Sequence, residues 1–113
     1  GGAPFYTTYK TSDSRHISVG AIEDKFYLEF ITKLDLKLDE LPNRTDKSNW
    51  PKLKDIFQEI IKTKTMREWE EIYFGTDACV APVLNFEEAF VDPHNKYREI
   101  FPKAFNIFSG VIG

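Results

Sequence analysis

A chain of 113 residues with 42% hydrophobic content is long enough to bury one core and too short for an assembly of domains. Its 18 acidic against 15 basic side chains, a formal net charge of −3, leave no basic footprint for nucleic acid or an anionic membrane surface, and neither partner is expected. No apolar run approaches the roughly 18 residues of a membrane-spanning helix, and ten Phe, five Tyr and two Trp supply more core material than a disordered chain would carry. The single Cys79 has no internal disulfide partner, so a reducing, intracellular compartment is the default expectation. The missing Met at position 1 reads as the mark of an excerpt or a processed product.

Phe5 to Thr11 is dense in aromatic and β-branched residues, Ser12-Asp13-Ser14-Arg15 is turn-like, and His16 to Ala21 fits a second strand. With period two, Phe5, Thr7 and Tyr9 share one face of their strand, as do Ile17, Val19 and Ala21 of theirs, so the pair reads as a hairpin laid on a core, with Tyr6 pointing away from it. From Asp24 the period becomes helical: Phe26, Phe30 and Leu34 form a stripe with Tyr27 and Ile31. Asp35 to Ser48 is a polar connection. Trp50, Leu53, Ile56, Phe57, Ile60 and Ile61 then form a second stripe ending near Lys62, with Pro51 in the first turn, where its missing N–H costs nothing.

Thr65-Met66-Arg67-Glu68 has the form of a capping box and opens a third helix through Met66, Trp69, Ile72 and Tyr73, with Gly75 as its stop. Cys79 to Leu84 reads as a brief edge strand interrupted by Pro82. Asn85 offers an N-cap for a helix over Phe86 to Phe90, Asp92-Pro93-His94-Asn95 a turn, and Lys96 to Ile100 a short helical piece. The order predicts an α+β fold, a small antiparallel sheet (a hairpin plus a short strand) packed with three to five helices.

Few residues offer chemistry by pattern alone. His16, Cys79 and His94 are far apart and lack ligand spacing, so no metal site is expected. Cys79 and His94 have no spacing that suggests a nucleophile and its base, and Cys79 reads as a small, buried apolar side chain. Gly1-Gly2 is too short for a phosphate-cradling loop. Glu23-Asp24 stands at the strand-to-helix junction, where two readings remain open. The helix macrodipole stabilises acids there by about 0.3–1 kcal/mol, while strand ends also carry catalytic groups.

The segments Gly1-Gly2-Ala3-Pro4-Phe5-Tyr6 with Thr8-Tyr9-Lys10-Thr11, Ser18-Val19-Gly20-Ala21-Ile22-Glu23 followed by Phe26-Tyr27, Asp39-Glu40-Leu41-Pro42, Trp50-Pro51, Gly75-Thr76-Asp77-Ala78-Cys79-Val80 and Phe86-Glu87-Glu88 come in an order that resembles the small domain of the α-methylacyl-CoA racemases, within the wider family III CoA-transferases. The likeness runs from Gly1 to about Arg98, so residues 1–100 are expected to form the small domain and 101–113 a divergent tail or linker. Two local departures stand out: the family usually has Gly at Ser14, in the hairpin turn, and Pro at Asp24, at the helix start.

The resemblance implies a larger parent enzyme whose active site lies between this small domain and the large domain of a second subunit in an interlocked homodimer. The implied reaction interconverts (R)- and (S)-2-methyl-branched acyl-CoA thioesters by α-proton exchange through an enolate, with CoA as part of the substrate and no separate cofactor. Glu23 matches the small-domain carboxylate that faces the active site, as a supporting catalytic group, with Tyr6 and Ile22 as substrate-lining neighbours. The principal His and Asp bases belong to the large domain, so this stretch alone is expected to be inactive. The resemblance also implies a peroxisomal or mitochondrial setting, although Gly110-Val111-Ile112-Gly113 is not a peroxisomal ending. Two other functions are compatible with the fold: a CoA-transferase small domain, or a non-catalytic acyl-CoA-binding module. Tyr6 and the termini are expected to lie in an exposed apolar patch.

Overall fold

A computed structural model describes residues 2–91. In chain order these form strands β1 (Tyr6–Lys10) and β2 (His16–Gly20), helices α1 (Asp24–Lys33), α2 (Trp50–Ile61) and α3 (Met66–Tyr73), strand β3 (Val80–Pro82) and helix α4 (Phe86–Val91). The expected turn at Asp92 to Asn95, the helical piece from Lys96 to Ile100 and the tail 101–113 lie outside the described residues. The chain divides into two units, Gly1–Val83 and Leu84–Gly113. In the second, Asn85 caps α4 as expected: its Oδ1 accepts from the Glu88 N–H at 2.7 Å, and the Glu88 carboxylate accepts from the Asn85 N–H at 3.2 Å. The first unit holds the three-stranded antiparallel sheet and α1 to α3, the α+β arrangement that the element order predicts.

The sheet has the order β1-β2-β3, with Tyr6 opposite Gly20, Tyr9 opposite Ile17 and Ile17 opposite Pro82. Because side chains alternate across a strand, this register puts Tyr9, Ile17 and Val19 into the core and leaves Tyr6 and Thr8 outside. Pro82 is tolerated because β3 is an edge strand. Cys79 departs from the expected burial. It is exposed, with φ at +57°, and its carbonyl accepts the Gly20 N–H at 2.9 Å, so the backbone leads into β3 with the thiol turned outward.

The hairpin turn is tied down by backbone and side chain together. Thr11 N–H reaches the Arg15 carbonyl at 2.9 Å, Ser12 N–H reaches Lys64 O at 2.9 Å, and the Asp13 carboxylate accepts from the Thr11 hydroxyl and the Met66 N–H. Those bonds, the Thr11 hydroxyl first, hold the Asp13 carboxyl below its ordinary pKa. Asp13 thereby links the turn to the start of α3. Ser14 sits in the left-handed region at φ +62°, where a Cβ is strained.

Each helix buries the stripe that its spacing marks out. Leu53, Phe57 and Ile61 of α2 are fully buried, and each such side chain contributes about 1.5–3 kcal/mol by leaving water. In α1 the buried set is Tyr27, Phe30 and Ile31, continued by Leu34, while Phe26 is only half-buried at the edge of its stripe. The capping box of α3 is present: Thr65 Oγ1 accepts from the Glu68 N–H at 3.1 Å and the Glu68 carboxylate accepts from the Thr65 N–H at 3.0 Å. Gly75 ends that helix in the left-handed region at φ +80°. The connection after α1 holds two short 3-10 turns, Leu38–Glu40 and Lys47–Asn49.

Three core tyrosines differ in how their hydroxyls are satisfied. Tyr9 donates to the Pro4 carbonyl and Tyr73 to the Phe30 carbonyl at 2.8 Å. The Tyr27 hydroxyl is buried with no hydrogen-bond partner among the described residues. Burial pushes all three phenols up, and the nearby Arg44 charge draws Tyr27 part of the way back.

Two stability predictions follow from these local geometries. Ser14→Gly relieves the left-handed strain and raises the unfolding free energy by about 0.5–1 kcal/mol in urea titration; an unchanged or lower value shows that the turn is not strained. Tyr27→Phe keeps the ring and removes the orphan hydroxyl, so stability rises by about 1 kcal/mol; a loss of that size means the hydroxyl has a partner in solution.

Candidate functional site

The three residues singled out by sequence, Tyr6, Ile22 and Glu23, lie at one end of the hairpin. Tyr6 opens β1, its N–H donating to the Ala3 carbonyl at 3.0 Å, and faces Gly20 at the close of β2. The chain leaves the sheet through two further bonds, Ala21 N–H to Phe5 O at 2.9 Å and Ile22 N–H to Gly20 O at 3.0 Å. Glu23 then adopts extended backbone (φ −71°, ψ 150°) as the N-cap of α1, and its carbonyl accepts the Tyr27 N–H at 2.9 Å. Tyr6 and Ile22 remain 54% and 53% exposed, large values for apolar side chains so close to a core. They supply the Tyr6 side of the expected apolar patch.

Glu23 occupies the cap position without capping. Its side chain makes no hydrogen bond to the first-turn N–H groups, and among the described residues its carboxylate has no ion-pair partner. A side-chain cap bond therefore does not account for an acid at this position, and of the local terms the helix dipole is what acts on it. Asp24 is engaged differently, as its carboxylate accepts from Arg44 Nη2 at 2.6 Å.

Arg44 was not singled out by the sequence pattern, since it belongs to a polar connection with no periodicity. Its side chain is only 14% exposed, with the guanidinium carbon 4.6 Å from the Phe5 ring centre and 4.5 Å from that of Tyr27. The same Nη2 that meets Asp24 donates to the Ile22 carbonyl at 2.8 Å. No local signal marked it, because its partners lie about twenty residues earlier in the chain.

Other groups are not brought to this end of the hairpin. His16 pairs with Lys10 at the opposite end, and His94 lies outside the described residues. A concavity of about 460 Å³ is lined by Gly2, Lys47, Trp50, Pro51, Lys54 and Asp55, and none of the three candidate residues borders it. Among the described residues there is no cluster of His, Cys, Asp and Glu able to hold a metal ion, and no helix is long and apolar enough to cross a membrane. What the arrangement offers is an outward carboxylate beside two exposed side chains on a braced strand-to-helix junction. It can accept a hydrogen bond or orient a base, but it does not by itself present two opposed proton-transfer groups.

Residues 1–106 match the model of the CoA-transferase family III. The chain belongs to that family. Within it, the chain is 52% identical to human α-methylacyl-CoA racemase and 50% identical to the mouse racemase, each over 101 residues, or 89% of the chain. A CaiB/baiF CoA-transferase family protein of Caenorhabditis elegans is 35% identical over 88 residues, 78% of the chain. The chain spans about a quarter of the length of these relatives, 26% of each racemase. The racemase likeness read from the ordered motifs is thus upheld.

Replacing Glu23 separates a capping role from an outward one. Glu23→Gln leaves unfolding stability within about 0.5 kcal/mol of the parent chain at 0.15 M salt, because no cap bond is lost and salt screens what the helix dipole contributes. A loss of about 1 kcal/mol or more, the size expected for a removed N-cap, shows that the carboxylate is structural.

Proposed function

We propose that this chain forms the small-domain side of an isomerase active site that interconverts (R)- and (S)-2-methyl-branched acyl-CoA thioesters. The observation that carries this reading is the 50–52% identity to two racemases across 101 residues, a stretch that includes the outward, non-capping Glu23. On this reading residues 1–100 are the small domain and 101–113 a tail or linker. The partners are a large domain and a second subunit in an interlocked homodimer, and CoA enters as part of the substrate. The setting is a peroxisome or mitochondrion.

Inversion at the carbon α to a thioester requires the α C–H bond to break, its electron pair to move toward the carbonyl oxygen as an enolate, and a proton to return on the opposite face. Donors must stabilise the oxyanion meanwhile. In the proposal the large domain supplies the His and Asp that exchange these protons. Glu23 faces the His across the boundary and orients it or tunes its basicity by charge, since an anion close to an imidazole favours its protonated form. Tyr6 and Ile22 line the acyl thioester, which gives their exposure a purpose that core packing does not.

The likeness to the nematode CoA-transferase family protein keeps transfer of CoA between carboxylic acids as a second reading, and the higher identity to the two racemases, 50–52% against 35%, weighs against it. Incubation of a 2-methylacyl-CoA in heavy water tests the first. The 113-residue chain alone incorporates no deuterium at the α carbon, and incorporation begins when the large domain is supplied. Exchange by the chain alone overturns the requirement for large-domain bases; CoA transfer to a second acid without α-exchange replaces the racemase reading with the transferase one.

A further inference from the structure

The peptide that carries Glu23 is held from outside its own strand and helix. Arg44 Nη2 donates to the Ile22 carbonyl at 2.8 Å and to the Asp24 carboxylate at 2.6 Å, so a single nitrogen bridges the residues on either side of Glu23. The guanidinium is itself fixed between the Phe5 and Tyr27 rings, and its backbone is anchored by Trp50, whose indole N–H donates to the Arg44 carbonyl at 2.8 Å. Glu23 has no side-chain partner of its own among the described residues, so the direction of its carboxylate depends on the backbone beneath it.

A proline at position 24 would fix φ at the first helical residue and restrict the residue before it to extended backbone. Glu23 already has that extended conformation, at φ −71° and ψ 150°, although Asp24 imposes no such restriction. The extended backbone at Glu23 is therefore held here by something other than the covalent restriction of a proline. We infer that Arg44 is a positioning residue for Glu23, a loop side chain that by bridging Ile22 and Asp24 holds the extended backbone that a proline at position 24 would impose by covalent restriction. The inference rests on the reading of Glu23 as a site carboxylate.

The test compares Arg44→Met, which keeps a long apolar stem and removes the donors, with Arg44→Met/Asp24→Pro. In the 113-residue chain, the backbone order parameter of Glu23 by 15N relaxation falls from the rigid range near 0.85 to below about 0.6 in Arg44→Met, while mid-hairpin Thr8 and Ser18 stay rigid. The added proline restores it. In the protein assembled with its large domain, Arg44→Met lowers kcat for α-proton exchange about tenfold with KM within about twofold, and Asp24→Pro recovers most of the rate. An unchanged order parameter at Glu23 overturns the inference, as does a mobile Glu23 with full kcat. A rate loss that proline does not rescue assigns Arg44 a role through its charge or through global stability, and overturns positioning. If the unsubstituted assembly exchanges no proton at all, the racemase reading falls and takes the catalytic part of the inference with it, whereas the order parameters still decide whether Arg44 holds the peptide.

Discussion

Phe57 is the side chain through which the sheet and the helices are joined. Its ring meets Tyr9 of β1 edge-on with centroids 6.2 Å apart, Tyr27 of α1 at 6.3 Å and Phe30 of α1 at 5.1 Å, and it is fully buried. Edge-to-face pairs contribute about 0.5–1.5 kcal/mol each beyond the area they bury, so one ring couples three partners on two other elements. Phe30 passes the contact on to Tyr73 of α3 at 6.0 Å, and Tyr73 returns a hydrogen bond to the Phe30 carbonyl. A core this dependent on interlocked rings fixes the depth of α1 against the hairpin, and with it the place where α1 begins.

That starting place is where the candidate site lies. Tyr27 packs inward on Phe57 and also forms one wall of the Arg44 clamp, whose other wall, Phe5, stands just before β1. Phe5 in turn contacts Tyr27 and Trp50 edge-on at 6.2 and 5.8 Å. The junction from Ile22 to Asp24 is therefore braced from the core side by aromatic packing and from the loop side by a cation, with the side chains of all three residues exposed. The Asp24 pair alone would contribute little, because that carboxylate is fully open to water. The value of Arg44 lies in the desolvated contacts behind it.

Most of the fold was legible because its signals are local. Period two on both arms of the hairpin, the Leu53-Phe57-Ile61 spacing, the Thr65-to-Glu68 box and Gly75 each act within a few residues, and each is realised. What was not legible depends on contacts distant in sequence. Arg44 reaches residues about twenty positions earlier, and nothing in the Asp35 to Ser48 connection marks it as half of a clamp. Cys79 was expected inside because free cysteines usually are, yet the positive φ that takes the chain into β3 is a tertiary outcome. At the site, sequence placed Tyr6 outside from alternation alone, whereas choosing Glu23 over a capping acid required the racemase likeness, since both readings put a carboxylate at the same junction.

The same alternation that fills the core fills the site. Tyr9 must point inward to meet Phe57, so Tyr6, three residues earlier on a period of two, must point outward, and Ala21, buried, forces the next residue, Ile22, out of the sheet. A one-residue slip of the hairpin would expose Ile17 and Val19 and bury Ser18, a change the core cannot absorb. The register is thus held by roughly the hydrophobic cost of those side chains, and the outward set inherits that rigidity without contributing to it. Two exposed apolar side chains are a liability for a lone chain in water. They stand on a strongly specified register next to a carboxylate that makes no side-chain cap, so the core fixes where these three side chains are presented.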